Sequence, residues 1–220
     1  MAQTNRRVSC QKAGRAPRAK RDLPLTLAPI HCFRLSKEIM LFGTKEIFAV
    51  EAMTEPDLEA PSAVWGRLRI WCCNESFGDF ENPYNALHSG AECCRKMLNA
   101  YPDLWDSTFD LVQDAERFRL FNEAIYIGSH SETKQIVDLA DRYWKFDFLT
   151  NWGEHTNGLK GLIAFDPNGE VLFMVEGRDE LVRGFRFPQT YFMKAAAGFV
   201  GWFDAEVERL QNKTKEQATS

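Results

Sequence analysis

Apolar and polar residues alternate most strictly over residues 65–73 (WGRLRIWCC). Leu68, Ile70 and Cys72 fall on one side of an extended chain, and Arg67, Arg69 and Trp71 on the other. A period of two predicts a strand with one row turned to a core and the other toward solvent or a partner. Residues 46–54 (EIFAVEAMT) predict an earlier strand, ended by Glu55-Pro56-Asp57 and an acidic, proline-containing loop to Ala63. After Cys73, Asn74-Glu75-Ser76 supplies a turn and Phe77-Gly78-Asp79-Phe80 a short returning strand. Pro83 then suits the start of a helix through about residue 100, with Leu87, Ala91, Cys94 and Leu98 at helical spacing.

In the middle of the chain, residues 110–125 and 131–143 each carry a helical apolar period. Asp138, four residues before Arg142, supports the second. Phe146 and Phe148 alternate with Lys145 and Asp147, which predicts a strand over residues 144–150. Residues 159–165 and 170–175 flank Asp166-Pro167-Asn168-Gly169, and Asn-Gly between two apolar runs is a hairpin signal. Pro188 opens a long helix to about residue 210, whose stripe includes Phe192, Phe199, Trp202, Phe203, Val207 and Leu210. From Lys213 the chain is polar, and fraying is expected there. No internal repeat is evident. The elements together predict a single α+β domain, an antiparallel β-sheet with helices packed on one face, and no parallel crossovers.

Charge divides the chain at residue 40. Residues 1–39 carry nine Lys/Arg against Asp22 and Glu38; with 27 basic and 31 acidic residues in all, residues 40–220 keep 18 basic and 29 acidic, a balance of −11. The chain therefore reads as a basic extension (1–39), a folded body (40–212) and a polar C-terminal tail (213–220). The extension is short of large apolar side chains, so disorder is expected. Its best signal-like run, Leu23 to Ile30, is brief and broken by two prolines, and no aromatic is interleaved with its basic residues before Phe33. The switch to patterned sequence at Met40-Leu41-Phe42-Gly43 favours Met40 as the true start. No apolar run nears the roughly 18 residues that a membrane span needs, and a cytoplasmic location follows. An acidic body favours basic partners and repels nucleic acid.

Enzyme-like chemistry finds little support in the residue pattern. His88, Glu92, Cys93 and Cys94 share one predicted helix, with Cys72 and Cys73 near in sequence, but no short Cys knuckle or paired histidines accompany them. Cys94 lies on the apolar stripe, where a free cysteine acts as a small hydrophobe. The vicinal pairs do not suit a set of bridges, and reduced thiols are expected. His130 and His155 sit in polar loop contexts, where solvent exposure is the ordinary expectation. No nucleophile elbow, phosphate loop, dinucleotide fingerprint or zinc-protease motif occurs. No cofactor, metal or catalytic residue is expected.

Phe42-Gly43, Phe48-Ala49-Val50-Glu51, Trp65-Gly66-Arg67-Leu68-Arg69-Ile70-Trp71 and Phe77-Gly78-Asp79-Phe80 follow one another at short intervals. Together they resemble the opening of the bacterial immunity protein 42 family, whose members begin with a Phe-Gly segment, a strand ending in Glu, a Trp-Gly-Arg strand and a Gly-Asp turn. The resemblance is specific over residues 42–81 and looser over residues 41–210. It implies a non-catalytic cytoplasmic inhibitor that binds a cognate polymorphic toxin, in such systems frequently a nuclease, and protects the producing cell by stoichiometric blocking. No direct nucleic-acid or membrane contact is implied, and the oligomeric state is left open. The expected toxin-binding residues are the acidic Glu55, Asp57 and Glu59 with Asp79 and Glu81, taken as exposed carboxylates flanking a strand turn. The competing function is a small-molecule or cargo-binding α+β domain with no toxin partner.

Overall fold

A computed structural model describes residues 7–9, 38–58, 63–127, 134–150 and 152–218. The strands are β1 (Arg7–Ser9), β2 (Met40–Thr44), β3 (Phe48–Thr54), β4 (Trp65–Cys72), β5 (Glu75–Phe77), β6 (Asn85–Ala86), β7 (Lys160–Phe165), β8 (Glu170–Glu176) and β9 (Val182–Pro188). The helices are α1 (His88–Ala100), α2 (Asp114–Asn122), α3 (Lys134–Tyr143) and α4 (Gln189–Ala218). The fold is α+β.

The strands divide between two sheets, ordered β2-β3-β4-β5 and β1-β9-β8-β7, with the short β6 against β4. All the pairs are antiparallel except β1 with β9. That parallel pair, which sets Arg7 beside Gly184, departs from the expected all-antiparallel sheet. The first sheet begins with a strand the sequence reading did not separate. Met40–Thr44 turns through Lys45-Glu46-Ile47 into β3, and Phe42 stands opposite Val50. Gly43 is required at this turn: its φ is +101°, and a Cβ there would lie 2.3 Å from Phe48 O.

The pleat sorts β4 as expected. Its residues alternate between half-buried and buried along the strand, with Leu68, Ile70 and Cys72 inward. They join the core with Phe48, Val50 and Ala52 of β3. Phe48 ties the layers together, because its ring lies 6.3 Å from Phe173 of β8, 5.2 Å from Phe187 of β9 and 5.2 Å from Phe192 of α4. On its other face the second sheet meets α2, where Arg186 of β9 reaches Asp114 at 3.0 Å.

Four local expectations are corrected. Residues 144–150 form no strand. Trp144–Phe146 is a 3-10 turn, and Asp147, expected to point outward, is buried and accepts from Tyr126 and Thr150. The strand placed at residues 77–80 is β5, two residues earlier, because Cys73 and Asn74 take positive φ and make the turn themselves. β9 was not predicted, and Pro188 is its last residue, with α4 starting one residue later. Finally, α4 does not fray at Lys213 but runs to Ala218.

Candidate functional site

The outward row of the first sheet is a set of interlocked charges. Across β3 and β4, Ala49 faces Trp71, Glu51 faces Arg69, and Met53 faces Arg67. Glu51 is only 5% exposed. Its Oε2 accepts from Arg69 Nε at 2.5 Å and from Trp71 Nε1 at 2.6 Å, and its Oε1 accepts from Lys45 Nζ at 3.0 Å. Burial alone raises the Glu51 carboxyl, but these donors outweigh it and hold the group below its usual range. The Arg69 guanidinium lies 4.7 Å from the Trp71 ring and 4.6 Å from that of Phe80. Lys45 Nζ also sits over Trp71, 4.3 Å from the ring centre. Cationic groups against aromatic faces gain electrostatically and keep both partners fixed.

Arg67 extends the network toward the expected acidic surface. Its Nε donates to Glu55 Oε1 at 2.6 Å, and its Nη1 lies 3.4 Å from Phe80 O and 3.6 Å from Glu81 Oε2. Glu55 is therefore not the exposed carboxylate the sequence suggested. It is 3% exposed, drawn in by the guanidinium twelve residues along the chain. Asp57 is exposed on the 3-10 turn Pro56–Leu58, while Glu59 lies outside the described residues. Asp79 and Glu81 are both exposed. They are coupled through the Glu81 backbone N–H, which donates to Asp79 Oδ1 at 3.0 Å. Arg67 thus brings Glu55 and Glu81 together, and Asp79 joins them through its loop.

Residues absent from the sequence reading complete this surface. Tyr84 is 64% exposed, and its backbone N–H donates to Asn82 Oδ1 at 2.9 Å. Asn82 Nδ2 approaches Glu154 Oε2 at 3.5 Å, so a turn 72 residues away presents another carboxylate beside the loop. The run Asn82-Pro83-Tyr84-Asn85 carried the signal, since Asn and Pro favour turns with side-chain-to-backbone bonds.

The histidines and thiols behave differently from a reactive centre. His155 is 2% exposed, a correction to the expected solvent-facing ring. His88 is exposed, its ring 6.2 Å from that of Phe203, and His130 lies outside the described residues. Cys72, Cys93 and Cys94 are free thiols, whereas Cys73 is disulfide-bonded, against the expectation of reduced thiols throughout. Burial pushes the Cys93 thiol, which donates to Phe148 O at 3.2 Å, up to about 12, and raises Cys72 and Cys94 as well. Such thiols are poor nucleophiles. Among the described residues no three His, Cys, Asp or Glu side chains gather as a metal-binding group. A cleft between α2 and β8–β9 holds about 600 Å³, and its Arg119 is already paired with Glu116.

The family model for immunity protein 42 matches residues 40–202. The chain belongs to the immunity protein 42 family. Its match begins at the residue that opens β2 and ends within α4, so it takes in the whole first sheet with its charge network. A solved structure, CdiI from Burkholderia dolosa AUO158, is similar with a TM-score of 0.56 and 9% identity, over 74% of this chain and 99% of that one. At that identity the likeness is one of fold. No curated protein matches the sequence. Among the described residues no helix is long and apolar enough to cross a membrane.

Proposed function

We propose that this immunity protein 42 member is a non-catalytic inhibitor that binds its cognate toxin in the cytoplasm and neutralises it by occupying it stoichiometrically. The observation that carries the reading is the family match over residues 40–202. Asp57, Asp79 and Glu81 are the proposed toxin contacts, with Glu59 as a further residue of the same loop. Glu55 is reassigned to support, since it holds Arg67 in place rather than facing outward. The body's acidic balance suits a toxin with a basic surface, such as a nuclease, because opposite fields speed encounter. The interlocked Glu51–Arg69–Trp71 face supports this reading by leaving little to be ordered on binding.

The test is the triple charge reversal Asp57→Lys, Asp79→Lys and Glu81→Lys. Association with the cognate toxin domain should slow by roughly tenfold or more at low salt, and protection in co-expression should weaken. An unchanged on-rate with full protection removes these carboxylates from the interface. Failure of the wild-type chain to bind the toxin at all removes the function.

A further inference from the structure

The loop that carries Asp79 and Glu81 is fastened from beneath by the side chain of Asn85 and the backbone of His155. Asn85, 1% exposed, donates from Nδ2 to Asn82 O at 2.8 Å and accepts at Oδ1 from the His155 backbone N–H at 3.2 Å. His155 O accepts from the Asp79 backbone N–H at 2.8 Å. The imidazole itself is enclosed, with its Cδ2 only 3.4 Å from where a Cβ on Gly78 would lie. Neither ring nitrogen has a hydrogen-bond partner. A neutral ring fits such a space at the cost of an unmet polar group. An imidazolium does not, because it carries two N–H donors and a charge with no acceptor in reach.

We propose that Asn85 and His155 form an acid-sensitive latch, which holds the Asp79–Glu81 loop in its binding geometry and releases it when the imidazole takes up a proton. The proposal rests on the toxin-binding reading only in giving that loop its use; the latch is a property of the free chain. Asp79, from the connection between β5 and β6, is the charged group that acts on the ring and favours the proton. From the ring's own turn, Glu154 is directed to Asn82, and Arg178 beyond it donates to Asn157 O. Asn85 and Trp152 bring no charge. Burial outweighs Asp79 and pushes the imidazole down to about 4, from an ordinary value of 6.5. A closed form that protonates so reluctantly, and an open form that does not, tie loop release to one proton.

Amide hydrogen exchange on the free, full-length chain tests this without any toxin. After correction for intrinsic exchange, opening at the Asp79 and His155 amides should rise about tenfold per pH unit between 6.5 and about 4, and level off below. Amides of β3 and β8 should not follow that slope. In His155→Leu the slope should vanish, and in Asn85→Ala the two amides should already exchange faster at pH 7. A pH-independent wild type, or a slope that survives in His155→Leu, overturns the latch. Should His155→Leu not fold, an NMR titration of His155 in the wild type decides: protonation near 4 supports the latch, and protonation near 6.5 overturns it. Because no toxin enters the measurement, its failure leaves the immunity reading standing, and the failure of that reading leaves the latch standing.

Discussion

Gly66 and Glu51 show how single positions in the family segment are fixed by packing before any partner is considered. A Cβ at Gly66 would lie 2.1 Å from Met53 O and 2.9 Å from a methyl carbon of Leu87, so β3 and the residue that caps α1 could not both keep their distance from β4. Gly66→Ala should cost about 1–3 kcal/mol, seen as a lower urea midpoint at unchanged slope. An unaltered midpoint would mean that the strands separate freely there. Glu51→Ala leaves Lys45, Arg69 and Trp71 Nε1 without their shared acceptor. A loss of about 1–3 kcal/mol is expected, with Glu51→Gln recovering part of it. The alternation of β4 was legible because the pleat alone assigns each residue its side. The burial of Glu55 and His155 was not, since it depends on Arg67 and Asn85 arriving from other elements. A carboxylate after a strand and a histidine among polar neighbours look exposed until those partners are placed.

At the scale of elements, Asp106 is where three pieces meet. Its carboxylate accepts from Thr108 N at 2.9 Å, capping the 3-10 turn Ser107–Leu111, and takes both Nε and Nη2 of Arg142 from α3 at 2.5 Å. Burial raises this carboxyl, but the Arg142 and Thr108 hydrogen bonds outweigh it and bring it down to about 2. The folded value lies below the ordinary 3.8, so the stabilisation is complete above 3.8 and is lost as pH falls through about 2. Arg142 is partly exposed, which screens the pair. Asp106→Ala should therefore cost about 1–2 kcal/mol at pH 7, mainly through the lost cap. The gap from wild type in thermal melts should narrow below pH 3.8. A gap that stays constant down to pH 2 would show that the charge contributes nothing. The elements misread from sequence share one physical cause. Phe146 and Phe148 alternate with Lys145 and Asp147 as in a strand, yet Phe146 packs 5.1 Å from Phe109 in a turn. Two apolar residues cannot tell these geometries apart. In β9, Arg186 interrupts the apolar pattern because it answers Asp114 on α2, which no local window contains.

For the whole molecule, the two sheets and α4 depend on a shared aromatic core, and Phe48 is its common member. Phe48→Ala should lower stability by about 3–5 kcal/mol, and calorimetry should show one broadened or lost transition. Retention of a wild-type melting temperature would mean that the sheets are stable apart. The α+β class was readable from the order of its elements. The division into two sheets was not, since whether two sets of hairpins join edge to edge or pack face to face is decided outside any local window. The surface proposed to meet the toxin lies beside this core, where the paired Glu51, Arg69 and Arg67 adjoin the exposed Asp57, Asp79 and Glu81. Co-expression of the full chain with its cognate toxin domain tests that account most directly, scored for survival and for the stoichiometry of the purified complex. Survival with a one-to-one complex is the predicted result. Death of the cells with the two chains purifying apart would contradict it.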